Sequence, residues 1–216
     1  MRIFLDTANI EQIKHGVKMG VVSGVTTNPT ISAKEGNSDY EALSKEICSI
    51  VPGPVSVEVL VEGVEAMIKQ GRQIATWSKN VVVKIPATAE GLEATKTLAK
   101  EGIKVNMTLC FSQNQALLAA LAGAAYVSPF VGRLDDIGTD GIQRLADIVN
   151  VFEEYNFDTK IIAASIRHTQ HCIDAAKVGA HIATIPYSVL LQMTQHPLTT
   201  IGISRFLADW QKVANK

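Results

Sequence analysis

Apolar residues along this chain fall into two rhythms. Eight short runs are apolar and rich in β-branched residues: RIFLDT (2–7), VSGVTT (22–27), VSVEVL (55–60), VVVKIP (81–86), KVNMTL (104–109), YVSPFV (126–131), KIIAAS (160–165) and HIATIP (181–186). Their length and composition predict strands buried on both faces. Between them, segments such as 9–20, 63–80 and 90–102 repeat their apolar residues at spacings of three and four, and several finish on glycine. That is the pattern of helices lying on a core and stopping at a left-handed residue. At Ser38–Glu41 the sequence SDYE reads as a capping box opening a helix, with the Ser38 hydroxyl and the Glu41 carboxylate satisfying free amides reciprocally.

Strands that alternate with helices pair in parallel, and 216 residues over eight units leave about 27 each, close to the minimum for a crossover. The compact solution is an α/β fold of the (β/α)8 TIM-barrel type, one domain over 1–216. An open doubly wound sheet is the competing architecture. It would place a G-x-G-x-x-G turn after its first strand or a phosphate loop elsewhere, and the sequence holds neither. Beyond the eighth unit, 199–214 predicts an additional amphipathic helix with Phe206, Leu207 and Trp210 on one stripe. Such a helix packs either on its own barrel or on a neighbouring subunit.

Composition narrows the partners. Twenty basic and twenty-one acidic residues give a net charge of -1, which leaves no electrostatic footprint for nucleic acid or an anionic membrane. A small molecule is the expected partner. The opening MRIFLDTANI has neither the basic nor the apolar region of a signal peptide, and the apolar runs are strand-length, so a cytoplasmic protein without a membrane span is expected. Cys48, Cys110 and Cys172 are odd in number and far apart, which predicts reduced thiols in a core in place of a disulfide framework or zinc site.

In a barrel of this kind the strand ends and following loops form the reactive face. Followed to their ends, seven of the runs deliver polar residues there: Asp6, Asn28, Glu58, Lys84, Asn106 with Thr108, Ser128, and Ser165. Because residues two apart point the same way, Asn106 and Thr108 share a face, as do Ser128 and Phe130. Lys84 stands out among three valines and an Ile-Pro pair, since lysine is almost never fully buried without a reason. An unperturbed lysine is neutral in only about one molecule in two thousand at pH 7, roughly 4.6 kcal/mol from the form that attacks a carbonyl. Using it as a nucleophile therefore requires help from burial and neighbouring charge. Arg133 and Arg167 follow the sixth and seventh strands, where forked guanidiniums and a serine hydroxyl can hold a phosphate.

Each residue also has a structural reading. Asp6 can arrange the first loop or cap a helix, Asn28 before Pro29 suits an Asx turn, and Ser128 and Ser165 can bond to backbone. Glu58 and Lys84 can form a buried structural pair, and Arg133 can pair with Asp135 or Asp136 in its own loop. His168 and His171, three apart with no third ligand nearby in sequence, are expected at surface helix positions and not at a metal. Against the structural readings stands the company: an amine, two carboxylates, hydroxyls, amides and two arginines converge on one predicted face, an inventory for catalysis.

With Asp6, TTNP (26–29), Glu58, VKIPAT (83–88), NMTLCFS (106–112), SPFVGRLDD (128–136) and AASIRH (163–168) together, the chain resembles the transaldolase family, in its short single-barrel branch, over essentially its whole length. The resemblance implies transfer of a three-carbon dihydroxyacetone unit between sugar phosphates in the pentose phosphate pathway through a Schiff base, with no metal or organic cofactor. It assigns Lys84 as the Schiff-base lysine and Asp6 as acid and base, and it gives Glu58 and Thr108 the handling of a catalytic water. It also makes Asn28 and Asn106 substrate ligands, sets Ser128 and Phe130 in the substrate pocket, and has Arg133, Ser165 and Arg167 bind phosphate. Fructose-6-phosphate aldolases, which release free dihydroxyacetone, are similar but carry Gln at the position of Glu58 and Tyr at that of Phe130. Members of the branch form ring-shaped homodecamers in which the terminal helix reaches a neighbour, so the same assembly is expected. Deoxyribose-phosphate-aldolase-like chemistry and a catalytically silent binding scaffold are the remaining alternatives.

Overall fold

A computed structural model describes residues 1–36 and 39–214. Its elements run β1 (Arg2–Asp6), α1 (Ile10–Lys18), β2 (Val22–Thr26), α2 (Pro29–Lys34), α3 (Tyr40–Ile50), β3 (Val55–Glu58), α4 (Val64–Ala75), β4 (Val81–Pro86), α5 (Ala89–Lys100), β5 (Val105–Cys110), α6 (Gln113–Leu121), β6 (Tyr126–Pro129), α7 (Val131–Asp135), α8 (Gly141–Glu154), β7 (Lys160–Ala163), α9 (Thr169–Lys177), β8 (Ile182–Ile185), α10 (Tyr187–Met193) and α11 (Pro197–Ala214). The strands pair in sequence order and in parallel, and β1 also pairs with β8, closing the barrel. The chain is a (β/α)8 barrel with an additional C-terminal helix, as the two rhythms of the sequence predict.

Departures from the expected pattern are local. Two crossovers contain two helices, α2 with α3 and α7 with α8. Several strands end sooner than their apolar runs, so Asn28, Phe130 and Ser165 lie in the loops just past β2, β6 and β7. Ser38 is outside the described residues, and the N-cap of α3 is Asp39, whose carboxylate accepts from the Ala42 amide at 2.9 Å. The terminal helix starts at Pro197, two residues before the expected 199.

Register explains why the strands read as apolar on both faces. Asp6 lies beside Thr26, Thr26 beside Ser56, Glu58 beside Lys84, Lys84 beside Asn106 and Asn106 beside Tyr126. Side chains alternate along a strand, so these polar residues share the inner face. The alternating set, including Leu5, Val25, Val57, Val83, Ile85, Met107, Val127, Ile161 and Ile185, is buried in one large cluster with the helices. Val83 and Ile85, which flank Lys84, thus belong to the outer layer, and the lysine turns inward on the same face as the buried Val82. Toward the N-terminal ends of the strands the inner face becomes apolar, with Phe4, Ile162 and Ile182 packed together against Tyr126. Gly24 beside Phe4 has no room for a side chain, because a Cβ there would come within 2.5 Å of the phenyl ring.

Asn80, at the foot of β4, ties the α3–β3 connection to the barrel. Its amide nitrogen donates to the carbonyls of Val51 and Gly53 at 3.0 Å and reaches that of Cys48 at 3.2 Å, while its oxygen accepts from Ser78 Oγ at 2.7 Å. Asn80→Ala strips these half-buried carbonyls of their donor and should lower stability by about 2 kcal/mol, the usual cost of unpaired buried groups. For a chain of this length that is a fall in Tm of roughly 4–8 °C, which calorimetry would measure.

Candidate active site

Lys84 leaves β4 pointing into the barrel and meets Glu58 from the neighbouring strand, Nζ to Oε2, at 2.9 Å. A second hydrogen on Nζ goes to the carbonyl of Thr27 at 3.0 Å. An ammonium has three donors, so one remains for the cavity that Lys84 lines. The Glu58 main chain is held in its turn by Tyr40, at the start of α3. Its hydroxyl accepts from the Glu58 amide at 3.0 Å and donates to the Glu58 carbonyl at 3.2 Å. These two groups face β2, whose ladder with β3 stops at Thr26–Ser56; one phenol replaces the missing strand. Burial pushes the Tyr40 hydroxyl up to about 12, so it keeps its proton and stays a donor. Its ring stands edge-on to Trp77 at 5.9 Å.

Asp6 approaches from the opposite side of the barrel. Thr26 Oγ1 donates to its Oδ1 at 2.8 Å and lies 2.6 Å from Thr184 Oγ1. With its one proton spent on Asp6, Thr26 accepts from Thr184. Burial pushes the Asp6 carboxyl above the ordinary carboxylate range; the positive charge of Lys84 and the Thr26 bond pull it down, and Glu58 adds to the rise. A carboxyl that holds its proton more tightly than usual, beside an amine, is suited to exchanging protons with a substrate.

Asn106 is fully buried below the cavity. It donates to Ser56 Oγ at 3.1 Å and accepts from Ser128 Oγ at 2.7 Å. Thr108, one turn of the pleat higher, lines the cavity with a buried hydroxyl that has no protein hydrogen-bond partner. Such a group is costly unless something else pairs with it. Leu109, directly after it, holds a left-handed backbone (φ 52°) where the β5–β6 register shifts.

At the rim, Phe130 packs edge-on to Phe111 at 5.4 Å and carries the Arg133 guanidinium over its face at 5.1 Å. Ser165 closes the wall in a left-handed conformation (φ 58°). Gly132 permits this approach, since a Cβ there would sit 2.2 Å from the Ser165 carbonyl oxygen. The cavity, about 100 Å³, gathers Asp6, Asn28, Lys84, Thr108, Ser128, Phe130, Arg133 and Ser165. Glu58 acts on it through Lys84, and Asn106 through Ser128. Asn28 also caps α2 by accepting from the Ile31 amide at 2.9 Å, so its structural and lining positions coincide, whereas the cap of α1 is Asn9 and not Asp6.

Arg167 does not line the cavity. It pairs with Asp136 at 2.6 Å, the carboxylate considered above for Arg133. Asp135 takes His171 Nε2 at 3.0 Å and the Gly141 amide at 2.9 Å. His171 is therefore a buried residue, 7% exposed, and not a surface one; its helix turns it under the rim, where burial and His168 push it down in pKa. Among the described residues, no group of three or more His, Cys, Asp or Glu could hold a metal. The three cysteines are free and buried. Sequence reasoning missed Thr26, Thr184 and Tyr40. Strict period-two counting on β2 and β8 would have turned both threonines inward; nothing local signals Tyr40.

The family model described as Transaldolase/Fructose-6-phosphate aldolase matches residues 3–216. Among curated relatives, a probable transaldolase of Dehalococcoides mccartyi is 65% identical over 214 residues, covering 99% of each chain. Those of Thermoanaerobacter sp. and Moorella thermoacetica are 58% and 57% identical over 216 residues and the full length of each chain. A solved thiamine phosphate pyrophosphorylase from Pyrococcus furiosus superposes over 85% of both chains with a TM-score of 0.56 at 17% identity, a likeness of fold alone.

Two replacements test this geometry. Tyr40→Phe keeps the contact with Trp77 but leaves both main-chain groups of Glu58 unpaired, and should lower stability by about 2 kcal/mol in chemical denaturation. For Asp6, the proton is held more tightly in the folded chain than in the unfolded one, so ionisation costs stability. The cost is absent below the unperturbed value of 3.8 and fully present above the raised one. Asp6→Asn should therefore be more stable than the native chain near pH 7, and urea titrations should show that gain shrinking as pH falls from the raised value toward 3.8 and absent below it.

Proposed function

Since the chain belongs to the transaldolase/fructose-6-phosphate aldolase family, we propose that it is a transaldolase moving a dihydroxyacetone unit between sugar phosphates through a Schiff base on Lys84. The observation that carries this reading is the inward-turned amine, 2.9 Å from a carboxylate and 3.0 Å from a carbonyl, on the wall of a cavity shared with a second carboxyl.

The ammonium proton passes to Glu58, and the freed lone pair of Lys84 attacks the C2 ketone of fructose 6-phosphate. Water leaves the carbinolamine with protons relayed by Glu58 and the unpaired Thr108 hydroxyl, giving an iminium. Asp6 then takes the C4 hydroxyl proton, the C3–C4 electrons move into the iminium to form an enamine, and glyceraldehyde 3-phosphate departs. Erythrose 4-phosphate binds, the enamine carbon attacks its aldehyde, and Asp6 returns the proton to the new hydroxyl. Hydrolysis of the iminium frees sedoheptulose 7-phosphate and Lys84. Asn28, Ser128 and, through it, Asn106 hold the hydroxyls of the three-carbon unit. Arg133 with Ser165 receives the phosphate, and Arg167 joins them by exchanging Asp136 for a phosphate oxygen. No step calls for a metal or organic cofactor, and the chemistry fits the pentose phosphate pathway of the cytoplasm; among the described residues no helix is long and apolar enough to cross a membrane. Phe130 favours transfer over release, because its phenyl ring offers no hydroxyl to activate water at the enamine.

Borohydride added with fructose 6-phosphate should fix a reduced three-carbon fragment on Lys84, located by peptide mass mapping. In the same preparation, fructose 6-phosphate with erythrose 4-phosphate should give sedoheptulose 7-phosphate faster than free dihydroxyacetone. Labelling elsewhere overturns the Schiff-base assignment, and dominant release of dihydroxyacetone makes the enzyme an aldolase.

The same reading includes a homo-oligomer, a decamer by resemblance, in which α11 docks on a second copy. None of the described residues of that helix is buried, and Leu198, Phe206, Trp210 and Val213 are 64–73% exposed, a solvent-facing apolar surface that a soluble monomer would not keep. Light scattering should give a decamer mass, and Phe206→Glu with Trp210→Glu should reduce it to that of smaller species.

A further inference from the structure

The strands that build the active face also have an opposite end, and there the inner face changes character again. Arg2, Tyr126, Lys160 and Ile182 open β1, β6, β7 and β8. Arg2 is the register partner of Ile182, and Tyr126 that of Lys160. These residues line a pocket of about 480 Å³ together with His181 and a wall of small residues that includes Ala176 and Ala180. It shares no lining residue with the active-site cavity, and the Phe4, Ile162 and Ile182 layer lies between them.

The polar groups in this pocket are overwhelmingly donors. Among the described residues, the Arg2 and Lys160 side chains have no ion pair or hydrogen bond, and no carboxylate lines the pocket. His181 Nδ1 accepts from the Ile161 amide at 3.2 Å, so the neutral ring carries its proton on Nε2 and can donate there. Tyr126 contributes a phenol. The acidic group facing His181 is Glu153 of α8, across Gly179, where a Cβ would lie 3.8 Å from its Oε1. Two unpaired cations held at one barrel mouth repel each other and stabilise nothing by themselves. The end of a barrel opposite the active face ordinarily carries packing and not ligands, so this arrangement calls for an anion.

We propose that the N-terminal mouth of the barrel is a second binding site, taking a small organic phosphate. A phosphoryl dianion matches two cationic and two neutral donors, with the guanidinium able to fork across two oxygens. The pocket is larger than a phosphate needs, and its Ala176, Ala180 and Ile182 wall gives an apolar body a place to lie. The proposal does not depend on the aldol chemistry of the other face.

Inorganic phosphate is the probe, added to the full-length protein labelled with 15N in its histidines while chloride holds ionic strength constant. Expected is a saturable shift of the His181 ring signals with an upward displacement of its titration, because a bound anion favours the imidazolium. Arg2→Ala with Lys160→Ala should weaken that binding by about tenfold or more, the loss expected for removing charge-assisted contacts. Lys160→Gln, which keeps most of the stem, should weaken it in the same direction. Arg133→Ala, on the other face, should leave it intact. A His181 signal indifferent to phosphate, a shift that survives the double replacement, or one that vanishes with Arg133→Ala overturns the proposal. Each of these outcomes leaves the Lys84 trapping result untouched.

Discussion

The inner face of this barrel is organised around one charge pair taken out of water. The side chains of Lys84 and Glu58 are 7% and 11% exposed, and ions so far from solvent are tolerated only when their partners are close and their remaining hydrogen bonds are met. The Thr27 carbonyl takes a second lysine proton, and Tyr40 pins the Glu58 backbone on both sides of its Cα. Removing one member of such a pair costs about 3–5 kcal/mol, since the other is left charged and alone. Lys84 therefore cannot be exchanged for an ordinary core residue without changing Glu58 too, and the strand register that sets them side by side becomes a requirement of the fold as well as of the chemistry.

How much of this could be read from the sequence follows from where each signal is written. The barrel was legible because its outer layer is continuously apolar and its helices keep a separate rhythm. Lys84 and Glu58 were legible because a charge between valines violates the pattern around it. Thr26 and Thr184 were not, since threonine is an unremarkable strand residue and its hydroxyl declares no direction. Tyr40 reaches Glu58 from a helix 18 positions away, and an aromatic residue at the start of a helix reads as packing. The choice of Asp136 by Arg167, and of Asp135 by His171, depends on how two loops close over each other. That information is tertiary, and a linear reading of GRLDD pairs the wrong residues.

Strain marks the same region. Apart from Asn156, the described non-glycine residues with left-handed backbones are Leu109 and Ser165, which follow Thr108 and close the cavity wall. Such conformations cost about 1–3 kcal/mol each unless the surroundings impose them. Here the β5–β6 register shift and the close approach of Gly132 do so. The chain thus spends conformational energy on aiming a hydroxyl and a loop at the space beside Lys84.

The apolar layer of Phe4, Ile162 and Ile182 has a kinetic meaning for the proposed reaction. It makes the site a blind well with a single opening, so nothing can pass through the barrel from one mouth to the other. The first aldehyde has to vacate the well before the acceptor comes in by the same route, while the three-carbon unit waits on the lysine at the bottom. The covalent hold of Lys84 and the single opening together impose a ping-pong order of events, without any gate or moving part to enforce it.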